Sequence, residues 1–153
     1  MTDIRQRLAD LGITLPVPAA PVAAYVPTVL AGSLLHVSGQ LPFDDGQLMT
    51  GRLGEDRDLD FGVRAARMCG IMLLAQIDKA LRGLDRVDRI VKLGVFVNSA
   101  PTFTDQPKVA NGASELMAAV FGDAGKHARA AVGTNTLPLN ATVELELTAE
   151  LRV

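Results

Sequence analysis

Arg129 and Glu144 are the residues of this sequence best suited to chemistry. Each places a full charge in an apolar, strand-like run, Arg129 in "HARAAV" at 127–132 and Glu144 in "ATVELEL" at 141–147. Ala128, Ala130 and Ala131 are small and leave space around the guanidinium. A planar fork with room before it suits a carboxylate held through two hydrogen bonds. A glutamate beside it orients a water or moves a proton.

Alternation in the last segment puts Ala141, Val143, Leu145, Leu147, Ala149 and Leu151 on one face, and Thr142, Glu144, Glu146, Thr148 and Glu150 on the other. If 127–134 folds back on 140–147 about a turn between Thr136 and Leu137, Arg129 faces Glu144 and His127 faces Glu146, on the side away from the helices. A slip of one residue moves Arg129 to the other face. The spacing leaves two readings open: a surface ion pair worth at most ~1 kcal/mol, or a ligand site.

Other reactive residue types read more plainly. His36 and His127 lack the Asp/Glu/His spacing of a metal site, so no metal is expected. Cys69 sits beside Met68 and near Met72 on an apolar helix, the setting of a buried structural thiol. "FDDGQ" at 43–47 reads as a turn, since it lacks the remaining ligands of a calcium loop. "GEDRDLD" at 54–60 reads as a solvated loop and helix cap.

The elements that must position these residues follow from pattern. Residues 2–12 predict a short helix, capped by Thr2 or Asp3 and ended by Gly12. A proline-rich extended connector follows. "YVPTVLAGSLLHVSGQLP" at 25–42 predicts two strands around Ala31-Gly32-Ser33, with Pro27 placing the first at an edge. "FDDGQLMTGRLGEDRD" reads as loop or hairpin. The longest helix spans 59–82, with Val63, Ala66, Gly70, Leu73, Ile77 and Leu81 as its apolar stripe, a cap at Asp58 or Asp60, and Gly83 as its stop. "RVDRIVKLGVFVNS" is a strand whose step from Ile90 to Leu93 suggests a bulge near Gly94. A second helix runs from about Pro107 to Phe121, and two strands near 127–134 and 140–152 close the chain.

The predicted architecture is α+β: a mostly antiparallel sheet with two main helices packed on one face. The bare second face of so small a domain suggests an oligomer. At 153 residues, 1–153 reads as a single domain, with 1–20 an N-terminal helix and Pro-rich extension. Hydrophobic residues make up 48% and charged residues 21%, a globular balance. Net charge is −2, a poor match for phosphate backbones, so no nucleic acid partner is expected. One cysteine permits no intrachain disulfide, the N-terminus lacks a signal-peptide pattern, and the apolar runs are too short to span a bilayer. A cytoplasmic protein with no membrane partner is the expectation.

Three stretches, "HVSGQLP" at 36–42, "RIVKLGVFV" at 89–97 and "HARAAVGTNTLPLNATVELEL" at 127–147, resemble the RidA/YjgF family of reactive-intermediate imine deaminases, also called the endoribonuclease L-PSP family. The similarity runs from about Tyr25 to the C-terminus, and the N-terminal extension matches a longer subgroup. The resemblance implies a chorismate-mutase-like fold and a homotrimer with clefts between subunits. It implies a 2-iminobutanoate/2-iminopropanoate deaminase-like hydrolase that converts 2-imino acids, formed from enamines, to 2-keto acids and ammonia. No cofactor is implied.

Residue by residue, Arg129 matches the carboxylate-binding arginine and Glu144 the water-positioning glutamate. Tyr25 matches the cleft tyrosine, Ser38 and Gly39 the pocket wall, and Ala131 a position whose backbone carbonyl contacts substrate. His127 and Ala130 depart from the family's usual proline and serine, and His127 is a candidate to tune the pocket. Gln106, Asn111 and Ser114 are candidates for the family's pocket asparagine. The alternative reading is a non-catalytic or regulatory protein that binds small carboxylates in the same pocket. A ribonuclease, which the family's older name implies, fits poorly with the acidic balance and the lack of an aromatic platform.

Overall fold

Short polar side chains start the helices where the sequence places them. In a computed structural model, which describes residues 3–18, 20–21 and 23–153, Asp3 caps α1 (Ile4–Asp10) by accepting from the Arg5 N–H. The alternative cap, Thr2, lies outside the described residues. Asp58 accepts from the Phe61 N–H and opens α2 (Leu59–Leu81). α2 ends one residue before the expected glycine: Arg82 itself takes the left-handed conformation at φ 58°. α3 (Gln106–Phe121) has proline in its first turn and Gly122 at its exit.

The strands are β1 (Thr28–Ala31), β2 (Leu34–Gln40), β5 (Val87–Asn98), β6 (Ala128–Thr134) and β7 (Val143–Leu151), in the order β1-β2-β7-β5-β6. β3 (Phe43–Asp44) and β4 (Gln47–Leu48) form a separate small hairpin. β1 is an edge strand, as Pro27 requires. Three of the four pairings in the large sheet are antiparallel, and β5 with β6 is parallel. β5 shifts register against β7 twice, at Asp88 and at Val91, the second between Ile90 and Lys92 rather than near Gly94. The extra residue keeps both Ile90 and Leu93 on the core side, which explains the broken alternation.

One face of the sheet receives α2 and α3. Leu93, Val95 and Val97 of β5 and Leu145 and Leu147 of β7 meet Leu73, Leu74 and Ile77 of α2 and Leu116 and Met117 of α3, all at most 2% exposed. The two helices touch closely at Gly112, where an added Cβ would lie 2.1 Å from the Val63 carbonyl oxygen. Gly112→Ala is therefore expected to force the helices apart despite alanine's better helix propensity, lowering the melting temperature by about 5–10 °C in a thermal scan.

The other face is open. It carries Lys92, Gly94 and Phe96 of β5, Glu144, Glu146 and Thr148 of β7, and Ala128, Ala130 and Val132 of β6, aligned by register. Val29 and Val132 are about half exposed there. The N-terminal segment lies on the helix side. Leu8 is buried, and Arg7 donates to the Val120 carbonyl oxygen at the end of α3. Residues 1–20 thus extend the helical layer where the structure describes them. Among the described residues, no helix is long and apolar enough to cross a membrane.

Candidate active site

The expected β6–β7 hairpin does not form. β5 lies between the two strands, so Arg129 pairs with Leu93 and Glu144 pairs with Phe96. Leu93 and Phe96 are three residues apart, an odd step, so they point to opposite faces. Arg129 rises on the helix side and Glu144 on the open side. Strand spacing and rise put their Cα atoms about 14 Å apart, with a sheet between the side chains. His127 does not face Glu146 either: Glu146 pairs with Gly94.

The reason is topological. β5, α3 and β6 follow one another as strand, helix, strand, the order that yields parallel neighbours. β5 thereby gains a partner on each side, β7 on one and β6 on the other. The connection from β6 to β7 then crosses the end of β5. It uses left-handed backbone at Leu139 and Asn140, with Asn98 of β5 donating to Asn140 Oδ1 at 3.0 Å and to the Ala141 carbonyl at 3.2 Å. Arg52 braces the same corner through Asn98 and the Asn135 carbonyl.

Arg129 anchors one half-site. Its Nη1 donates to Asn111 Oδ1 at 2.8 Å and to Ser114 Oγ at 3.1 Å, both from α3. Asn111 and Ser114 are three residues apart and share a helix face. These bonds use both Nη1 hydrogens and leave the edge formed by Nε and Nη2 open. That edge is a side-on fork for a carboxylate. Among the described residues Arg129 has no ion pair. His127 also reaches Ser114 Oγ, at 2.9 Å from Nε2, so it does share Arg129's side of the sheet. Burial pushes the His127 imidazole below its ordinary value of 6.5; the Gly125 carbonyl opposes this and the Arg129 charge adds to it. Ala131 lies two residues along β6, half-buried beside Val95.

Glu144 anchors the other half-site. β2 slips its register against β7 between Val37 and Gln40, so Ser38 and Gly39 bulge at the edge of the Glu144 side chain. A Cβ on Gly39 would lie 2.3 Å from Glu144 Oε1, so only glycine lets the carboxylate lie there. Glu144 is half-buried and, among the described residues, makes no hydrogen bond or ion pair. Its carboxyl is raised above the ordinary 4.5, first by burial and then by the nearby Glu146 charge. Ser38 donates to the Val26 carbonyl at 2.8 Å, which ties the segment carrying Tyr25 to this corner. Tyr25 itself is 56% exposed.

The structure therefore brings Gly39, Ser38 and Glu144 together, and separately gathers Arg129, His127, Asn111 and Ser114. Of the three helical candidates, Asn111 and Ser114 both touch Arg129, whereas Gln106 turns back to Ser99 and the Phe103 carbonyl. His36 lies apart on the open face, bonded to Thr148 at 3.2 Å. Cys69 is fully buried and its thiol is pushed well up, by burial first and by the Glu144 charge second, which suits packing and not attack.

Comparison with known proteins gives a family match and three close likenesses. A family model described as "YjgF/chorismate_mutase-like, putative endoribonuclease" matches residues 5–151. Protein TCP17 of Trypanosoma cruzi is 51% identical over 150 residues, 97% of this chain and 94% of that protein. The crystal structure of Atu1372 from Agrobacterium tumefaciens, a protein of unknown function, has a TM-score of 0.91 at 48% identity over 97% of this chain and 92% of that one. A crystal structure from Shewanella oneidensis has a TM-score of 0.94 at 34% identity, covering 98% of this chain and all (100%) of that one.

Proposed function

The chain belongs to the YjgF/chorismate mutase-like family, and from that premise we propose that it hydrolyses 2-imino acids to 2-keto acids and ammonia. The observation that carries the reading is Arg129, a half-exposed cation anchored by Nη1 with its Nε–Nη2 edge open. Such an edge holds the carboxylate that every 2-imino acid carries next to its reacting carbon.

The step needs a water, a proton acceptor and a proton donor. Glu144 accepts a proton from water as the oxygen bonds to the imine carbon and the C=N bond becomes single. Glu144 passes that proton to the nitrogen, giving the carbinolamine; it then takes the carbinolamine hydroxyl proton and delivers it to the amine as the C=O bond forms, the C–N bond breaks and ammonia leaves. A carboxyl raised above its ordinary range is better matched to both transfers than a fully exposed one. The Ala131 carbonyl, two residues along edge strand β6 from Arg129, supplies an acceptor for the imine N–H.

Arg129 and Glu144 of one copy cannot hold one small substrate across a sheet. The site is instead completed between copies, Arg129 from one and Glu144, Gly39, Ser38 and Tyr25 from the next, in a homotrimer built on the open faces. Support comes from that face itself, where Val29 and Val132 are about half exposed beside a half-buried Phe96. This arrangement has its own test. Arg129→Ala and Glu144→Gln chains, each inactive alone, are co-refolded in equal amounts. About a quarter of the sites then draw both native residues from different copies, and activity returns to about that level. No recovery would show that each copy completes its own site.

The assay generates 2-iminopropanoate or 2-iminobutanoate in situ and follows keto-acid release. No acceleration over buffer across a range of imino acids overturns the reading. Stabilisation by 2-keto acids without turnover would instead mark a carboxylate-binding protein. The endoribonuclease activity in the family's description is less well supported here, because Glu144, Glu146 and Glu150 line the open face and repel phosphates.

A further inference from the structure

Behind Arg129 the hydrogen bonds run in one direction. The Gly125 carbonyl can only accept, so at 2.6 Å from His127 Nδ1 it fixes the ring proton on Nδ1. In the neutral ring Nε2 is then an acceptor, and Ser114, 2.9 Å away, must donate its hydroxyl proton to it. With that proton committed, Ser114 Oγ offers only lone pairs to Arg129, whose Nη1 donates at 3.1 Å. Asn111 Oδ1 takes the other Nη1 hydrogen at 2.8 Å.

We infer that His127 is a positioning residue: through Ser114 it fixes the plane of the Arg129 guanidinium, so that the Nε–Nη2 edge faces the ligand carboxylate. The inference rests on the carboxylate reading of Arg129. Without the ring, the Ser114 hydroxyl is free to rotate and to point its proton at Arg129, where two donors would then meet. A protonated ring also breaks the relay: Nε2–H then donates to Ser114 Oγ, the hydroxyl proton is released to rotate, and two cations are left sharing one oxygen.

The surroundings keep the ring neutral near pH 7. Arg129 on β6, Arg89 on β5 and Lys126, which precedes His127 and pairs with Asp123 of the Gly122–Gly125 turn, are cations lining the two depressions next to His127, and Glu150 on β7 is the one carboxylate in that lining. α3 contributes only the uncharged Ser114 and Ala118 to that lining. Burial and the Arg129 charge act in the same sense on the ring.

The test uses the full chain and needs no turnover. At pH 7.5 the Arg129 guanidinium N–H signals in ¹⁵N NMR are expected to be resolved and slowly rotating in the wild type. His127→Gln, whose side-chain oxygen can accept from Ser114, should keep them so. In His127→Ala and Ser114→Ala they should average by rotation. Ser114→Ala cuts the relay without removing the ring, so it serves if His127→Ala folds poorly. As pH falls below 6.5, the wild-type signals should average while those of His127→Gln do not.

The dissociation constant for 2-oxobutanoate should rise about five- to tenfold in His127→Ala and return to within about twofold of wild type in His127→Gln. Unchanged Arg129 rotation in both alanine variants overturns the relay. A rigid Arg129 in a wild-type chain that binds no 2-oxobutanoate overturns the carboxylate reading of Arg129 instead, and with it the ligand half of this inference.

Discussion

Arg129→Ala is expected to lower kcat/KM for 2-iminobutanoate hydrolysis about 10³-fold, or ~4 kcal/mol of transition-state stabilisation. A bidentate, charge-assisted pair contributes more than a neutral hydrogen bond, and it also holds the imine carbon at the attacking water. Both KM and kcat should suffer, because the carboxylate is bound in the ground state and the transition state alike, while orientation counts only in the second. Arg129→Lys should recover no more than about tenfold. A lysine keeps the charge but offers no planar edge and cannot bond Asn111 and Ser114 while presenting a second pair of donors. The fold should survive, since Arg129 is half-exposed on an edge strand and its partners can turn to water. Keto-acid release above the buffer rate, measured beside size-exclusion elution, checks both points. An Arg129→Ala chain that keeps more than a tenth of wild-type kcat/KM removes Arg129 from the site.

Local chemistry was legible in the sequence and strand order was not. Asp3 and Asp58 cap helices because a short acceptor before an amphipathic run bonds the nearest free N–H groups, which depends on neighbours only. β7 declared its two faces by alternation, and Glu144 lies on the predicted one. Closeness along the chain favours a β6–β7 hairpin, but β6 pairs with β5 instead. The strand–helix–strand order of β5, α3 and β6 is the better signal for that pair, and the side Arg129 takes follows from its register with Leu93. Asn111 and Ser114 could not be chosen over Gln106 until β6 was placed. Their three-residue spacing marks a shared face but not which strand that face meets.

The same correction changes what the two charges mean. As hairpin neighbours they would have neutralised one another, and a surface ion pair would have sufficed to explain them. Separated by β5, each is left without a counter-ion among the described residues: Arg129 on one side with an open edge, Glu144 on the other against Gly39. A half-buried carboxylate with no hydrogen bond is a cost to the folded chain. Such a cost is retained more readily where the group acts than where it merely packs.

Glu144→Gln is accordingly expected to move activity and stability in opposite directions. The amide cannot take a proton from water, so kcat should fall about 10²- to 10⁴-fold with little change in KM. Stability should rise. The folded-state carboxyl is raised above its unfolded value, so the folded chain binds the proton more tightly. Its contribution is then fully present below pH 4.5 and is lost as pH rises through the folded value. Near pH 7.5 the ionised wild type bears that loss and the neutral glutamine does not. Glu144 is half-exposed, so solvent screening holds the difference below ~1 kcal/mol, about 1–3 °C in melting temperature. Below pH 4.5 the two chains should melt together. Melting curves across pH 4 to 8, read beside kcat, separate the cases. A variant that loses activity and also melts lower at pH 7.5 would place Glu144 in the structural framework, and the water would need another base.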